Sequence, residues 1–224
     1  STKSIRAFVD EFKSKYDRLD ILINNAGLSM DKRTLTPDGF ELVFATNHLG
    51  HFLLTYLLTD YLQKSAPSRV INVSSLGSKH AKMDWDDLMT EKNYNWMRAY
   101  DKSKLANVMH AYEFNKRYEP KGIKAVSLHP GVAQSDFSRN IFKAFWVKLI
   151  VWIIYPILLF VAKTSKQGAQ TSIYCALEDF DKLKGGQFYK DCALDKQAPE
   201  VFDDENCKRL WNESLKLLNL KDKQ

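Results

Sequence analysis

Apolar residues fall along this chain in two alternating patterns. Residues 19–24 (LDILIN), 69–74 (RVINVS) and 123–128 (IKAVSL) are short runs rich in β-branched side chains and read as buried strands. Each stops at polar or turn residues: Asn25-Ala26-Gly27, then Ser74-Ser75, then Pro130-Gly131. Between them the spacing turns helical. Residues 1–15 place Ile5, Phe8, Val9 and Phe12 on one face. A long helix is expected over about 37–64, with Thr36 as N-cap and Pro37 in its first turn. Further helices are expected over about 99–118, closed by Pro120 and Gly122, and over 166–177 and 201–218. Residues 187–189, after Gly185-Gly186, suggest a last strand. Strands alternating with helices predict an α/β fold, a parallel sheet with helices on both faces.

Composition narrows the class. A chain of 224 residues, 45% hydrophobic and 27% charged, fits one globular domain. The 33 basic and 27 acidic residues leave a net charge of +6, but the cations are dispersed. No basic stripe marks a nucleic-acid binder. The three cysteines, Cys175, Cys192 and Cys207, form no C-x-x-C pair, so neither a zinc site nor a disulfide framework is expected. No metal is called for.

Chemistry concentrates at Tyr100 and Lys104, one helical turn apart and on one face. An ammonium beside a phenol stabilises the phenolate, which suits the tyrosine to proton exchange near neutral pH. The pair alone is a common surface arrangement. It gains weight from the three consecutive strand ends, because ligands of open α/β sheets bind beyond the carboxyl ends of strands.

In this setting the sequence resembles the short-chain dehydrogenases/reductases. The motifs are Asn24-Asn25-Ala26-Gly27, Asn47 within N-H-L-G-H-F, Ser75 within N-V-S-S-L-G, Tyr100-Asp101-Lys102-Ser103-Lys104, and Pro130-Gly131 followed by Ser135. The W-D-D-L loop at 85–88, H-P-G-V at 129–132 and G-G-Q-F-Y-K-D-C at 185–192 are similar to the retinol-dehydrogenase-like subgroup. The resemblance implies a Rossmann-like doubly wound sheet and an NAD(P)-dependent oxidoreductase. Such an enzyme interconverts an alcohol and a carbonyl on a lipophilic, retinoid- or steroid-like substrate. Tyr100 would exchange the proton, with Lys104 lowering its pKa and binding the nicotinamide ribose. Ser75 would bond the substrate oxygen, and Asn47 would hold a water linking Lys104 to solvent. Asn24, Ala26 and Gly27 would shape the adenosine side of the cofactor groove, and Pro130, Gly131 and Ser135 the nicotinamide side. The subgroup favours NADP over NAD.

The family's glycine-rich turn and its first three strands do not occur in this sequence. Two expectations follow. Either the domain over 1–224 is N-terminally incomplete, or the chain is a catalytically inactive accessory subunit, without a cofactor, in a larger membrane-bound complex. Both leave the 19–24 strand as an open sheet edge that a partner or a second copy could cover.

Residues 149–162 (LIVWIIYPILLFVA) are continuously apolar, shorter than the roughly 20 residues of a membrane span, and interrupted by Pro156. With Lys143, Lys148, Lys163 and Lys166 around it, the 141–165 segment reads as a lid facing a membrane surface. A buried or oligomer helix and a true span are the other readings. An intracellular, membrane-associated location, endoplasmic reticulum or mitochondrion, is expected with it.

Overall fold

The computed structural model describes residues 1–131 and 163–223. Ser135 and most of the 141–165 segment lie outside the described residues.

Five strands form one sheet in the order β1 (Ile21–Asn24), β2 (Ser68–Val73), β3 (Ile123–His129), β4 (Phe188–Lys190), β5 (Ala193–Asp195). The first four are parallel and β5 returns antiparallel to β4. The register pairs Asn24 with Asn72 and Val73 with Leu128, so the three expected strands end side by side.

Successive strand residues enter opposite layers, as the period of two demands. Val70, Ile123 and Ala125 pack on one side against α3 (Gly50–Lys64) and α4 (Trp96–Tyr118), with α7 (Asp204–Leu217) beyond them. Ile71, Val73, Val126 and Leu128 pack on the other against Cys175 and Ala176 of α6 (Gln170–Leu177). Helices therefore cover both faces, as expected. α1 (Thr2–Lys15) lies on α3, with Val9 as its buried residue. Arg69 ties the layers together: its Nη1 donates to the carbonyls of Cys175 at 3.0 Å and Glu178 at 2.8 Å, closing the C-terminus of α6.

Three boundaries differ from the sequence reading. Pro37 does not open a helix, because residues 36–40 form a tight turn in which Thr36 N donates to the Phe40 carbonyl at 2.8 Å. The helix begins at α2 (Leu42–Phe44), capped by Glu41, whose carboxylate accepts from Val43 N and Phe44 N. A π-helical turn, Ala45–Leu49, joins α2 to α3. The expected 166–177 helix is two pieces, α5 (Ser165–Gly168) and α6. β5 was not anticipated.

Among the described residues, β1 pairs only with β2. Ile23 is 43% exposed on this edge strand, in keeping with the open edge expected from sequence.

Candidate active site

The ends of β1, β2 and β3 surround a cavity of about 1210 Å³, completed on its far wall by α5 and α6. Ala26, Gly27, Ser75, Tyr100, Lys104, Pro130 and Gly131 all line it. The sheet register explains this convergence, since β2 and β3 stop within a residue of each other and α4 returns across the β2 end.

Ser75 follows β2 in extended conformation and caps a short 3-10 turn, Leu76–Lys79, accepting from Gly77 N at 3.3 Å. Its hydroxyl and the Tyr100 phenol face the same cavity. Burial pushes the Tyr100 pKa up to about 12, with Asp101 adding to the rise and Ser75 opposing it. Lys104 is 3% exposed, and its Nζ lies 5.6 Å from the Tyr100 ring centre and donates to the Val73 carbonyl at 3.0 Å. Burial brings Lys104 down to about 8. The protein alone thus keeps Tyr100 protonated. Desolvation of the phenolate outweighs the opposing effect of Ser75.

Asn47 sits in the π turn, a feature that often marks functional sites. Its Oδ1 accepts from Leu28 N at 2.8 Å, and its Nδ2 donates to Leu28 O at 3.0 Å and Ser103 Oγ at 2.9 Å. Both amide protons are spent. Ser103 donates in turn to the Tyr100 carbonyl at 2.7 Å, so Asn47 connects the β1 loop to the helix that carries Tyr100. Asn47 thus braces the site, and its Oδ1 keeps a second lone pair. Asn24 also points away from the cavity, donating to Thr55 Oγ1 and Asn72 Oδ1 inside the core.

Two glycines let neighbouring side chains pack closely at the cavity. A β-carbon on Gly27 would lie 3.1 Å from Lys104 Nζ and 3.4 Å from Asn47 Oδ1. Gly131 has φ +90°, a conformation that glycine adopts without strain, and the Lys163 side chain packs against it. Lys163 is held by an ion pair with Asp191.

Sequence reasoning gave no role to Ser103 or His129, and placed Ser74 only at the strand end. Ser74 Oγ donates to the Lys104 carbonyl at 2.6 Å, and His129, 7% exposed, lines the cavity. Ser74 and Ser103 stood inside the motifs but beside residues with more obvious chemistry. His129 precedes the Pro-Gly turn and gave no pattern of its own.

A hydroxyl pair, a buried ammonium and a glycine-lined wall at parallel strand ends suit proton exchange with an oxygen beside a bound ribose. The short chain dehydrogenase family model matches residues 1–145. The chain belongs to the short-chain dehydrogenases. Human retinol dehydrogenase 12 is 40% identical over 220 residues, covering 98% of this chain and 67% of that protein. Human retinol dehydrogenase 11 is 41% identical over 219 residues, with the same shares. Human retinol dehydrogenase 14 is 38% identical and covers 98% of this chain and 65% of its own length. These relatives place this short-chain dehydrogenase in the retinol-dehydrogenase-like subgroup. The chain spans about two thirds of their length. Among solved structures, an uncharacterised protein from Mycobacterium paratuberculosis superposes with TM-score 0.77 at 27% identity, over 100% of this chain and 74% of its own. NADPH-bound carbonyl reductase from chicken fatty liver shares the fold, with TM-score 0.57 at 23% identity over 84% of this chain and 70% of its own.

Proposed function

We propose that this short-chain dehydrogenase reduces a carbonyl, or oxidises the matching alcohol, on a lipophilic retinoid-like substrate. The observation that carries the reading is the convergence of Ser75, Tyr100 and Lys104 on one cavity at the strand ends, with Lys104 Nζ 5.6 Å from the Tyr100 ring centre.

The chain's residues fit the nicotinamide–ribose part of a dinucleotide. Gly27 and Gly131 line the cavity, and Lys104 presents an ammonium beside Gly27. The bound nicotinamide supplies the hydride chemistry. Tyr100 supplies the proton to the substrate oxygen, or removes it in the oxidative direction. Ser75 donates to the same oxygen and stabilises the charge that develops there. Lys104 offsets the charge of the tyrosinate once the proton has left. Asn47 and Ser103 hold the helix turn that aims the phenol. The apolar far wall, Ile173, Ala176 and Leu177, suits a hydrocarbon substrate.

NADP is favoured over NAD by the subgroup, and attachment to a membrane surface by the charge and apolar pattern of 141–165. Among the described residues no helix is long and apolar enough to cross a membrane.

The competing reading is an inactive accessory subunit. Titration with NADPH, followed by nicotinamide fluorescence, separates the two. Saturable binding supports the oxidoreductase, and its absence at millimolar NADPH supports the subunit.

A further inference from the structure

β5 contributes little to the core, since Ala193 and Leu194 are exposed. What it brings to the molecule is a charge. Asp195, its last residue, accepts from Lys79 Nζ at 2.7 Å. The two side chains are only 27% and 21% exposed. The same ammonium lies 5.6 Å from the ring centre of Phe188 on β4. Lys79 is also the last residue of the 3-10 turn that Ser75 caps. That turn follows β2, and β3 and β4 separate β2 from β5. One ion pair therefore joins the Ser75 turn to the far edge of the sheet.

The turn between β4 and β5 holds a second cavity segment. Its Asp191 pairs with Lys163, and Lys190 Nζ stands 3.9 Å from the same carboxylate. Lys163 packs on Gly131 so closely that a β-carbon there would lie 2.6 Å from Lys163 Cδ. His129, just before Pro130-Gly131, is in register with Lys190. Asp191 and Cys192 both adopt positive φ, 51° and 60°. Side chains hold that conformation only where their surroundings impose it. Cys192 N donates to Thr171 Oγ1 of α6 at 3.4 Å, which fixes the turn from its other side. Ser75 and Gly131 both line the cavity, whereas Asp191 and Asp195 do not. Each carboxylate thus reaches the cavity wall through a lysine.

We propose that the β4–β5 hairpin is a clamp on the cavity, with Asp195 a positioning residue for Ser75 through Lys79 and Asp191 a positioning residue for Gly131 through Lys163. The proposal takes Ser75 and Gly131 to be working parts of the oxidoreductase, and so rests on that reading. The Ser75 turn is short and internally bonded, so a restraint at Lys79 is felt at Ser75. The Ser75 carbonyl accepts from Ser78 Oγ at 2.6 Å and from Ser78 N at 3.1 Å, and Ser75 Oγ accepts from Gly77 N at 3.3 Å. The Lys79–Asp195 pair is largely withdrawn from solvent, where salt screens a charge pair less than it does at the surface. Without its carboxylate the Lys79 ammonium turns towards water, and the end of the Ser75 turn goes with it.

Amide hydrogen exchange reads the turn without turnover. In Asp195→Asn the Gly77, Ser78 and His80 amides should exchange about fivefold faster than in the wild type, a local opening of the turn. Steady-state kinetics with NADPH and retinaldehyde then separate the two arms of the clamp. Asp195→Asn should lower kcat about tenfold, as a small misplacement of a reacting group does, and leave KM for NADPH within about twofold. Asp191→Asn should raise KM for NADPH about threefold and largely keep kcat. Lys79→Asp combined with Asp195→Lys restores the pair with its charges exchanged and should recover most of the lost kcat. Asp204→Asn breaks the Lys116–Asp204 pair, also 2.7 Å long but away from the cavity lining, and should change neither constant. If folded Asp195→Asn exchanges and turns over like the wild type, the proposal is overturned. It is overturned as well if Asp204→Asn lowers kcat as much as Asp195→Asn does, since the effect is then one of general stability. An inactive wild type whose Asp195→Asn variant exchanges faster at 77–80 would count against the oxidoreductase reading alone.

Discussion

Asn47 grips Leu28 by both of its main-chain groups, accepting from the amide at 2.8 Å and donating to the carbonyl at 3.0 Å. A side-chain amide used this way stands in for a strand neighbour, and it fixes the loop that carries Gly27. Replacing it leaves the Leu28 amide and Ser103 without their partner. Asn47→Ala should cost about 2 kcal/mol, near the middle of the range for a buried group left unsatisfied. The melting temperature should then fall by about 4–8 °C. Asn47→Asp should be no better, since a carboxylate cannot donate to the Leu28 carbonyl. Thermal unfolding of both variants checks this.

Lys104 carries a stability cost that can be measured. Its pKa is about 8 in the fold against 10.5 when exposed, so between those values the unfolded chain holds a proton that the fold does not. The penalty is full below pH 8, about 3 kcal/mol, and disappears as the pH rises to 10.5. Lys104→Met should therefore be more stable than wild type at pH 7, by about 1–3 kcal/mol after loss of the Val73 hydrogen bond. The advantage should vanish near pH 10.5, while activity is lost throughout. Denaturant unfolding at both pH values reads the difference.

The buried imidazoles set the acid limit. Burial lowers His51 to about 4 and His110 to about 3, and His48 falls well below its ordinary value as well. Below pH 6.5 the unfolded chain takes up protons that the fold refuses. Stability should be at its plateau above that pH and fall steeply as the pH drops towards 4. His110→Phe, placed among Phe52, Phe114 and Trp211, should soften the acid slope. Unfolding free energy measured from pH 7 to 4.5 in both proteins tests this.

Gly77 and Asp101 form a further dependence. A β-carbon at Gly77 would overlap the Asp101 carboxylate, and Gly77 lies in the turn that Ser75 caps. Gly77→Ala should displace Ser75 and cut turnover by about tenfold, roughly 1.4 kcal/mol in the transition state. Gly77→Ala with Asp101→Ala should recover most of it, because the contact that forces the shift is gone. A double-mutant cycle on kcat/KM measures the coupling.

The layers of the fold were legible because buried parallel strands are continuous apolar runs. Residues 69–74 are shifted by one residue from the observed strand, and 123–128 fall one residue short of it. Ser75, Tyr100 and Lys104 were legible because strand ends and a four-residue helical spacing translate directly into place. β5 was not, since Ala193 and Leu194 are exposed and the turn before it uses Asp191 at φ 51° and Cys192 at φ 60°, with no glycine to mark it. The start of α2 was hidden for a similar reason. Thr36-Pro37 is a good helix opening in isolation, and only the closed 36–40 turn assigns the cap to Glu41. The rise in the Tyr100 pKa on burial had no signature in the sequence, because burial is a property of packing and not of spacing. The second shell, Ser103 to Asn47 to Leu28, joins residues 56 and 19 positions apart and has no local signature.

The central claim is that Tyr100 delivers the proton. The most direct measurement is NADPH-dependent reduction of retinaldehyde by wild type and Tyr100→Phe, with the fold of each verified by circular dichroism. The account predicts turnover by the wild type and a loss of about 10²–10⁴-fold in kcat for Tyr100→Phe, the range for a general acid. Undiminished turnover by a folded Tyr100→Phe would contradict it.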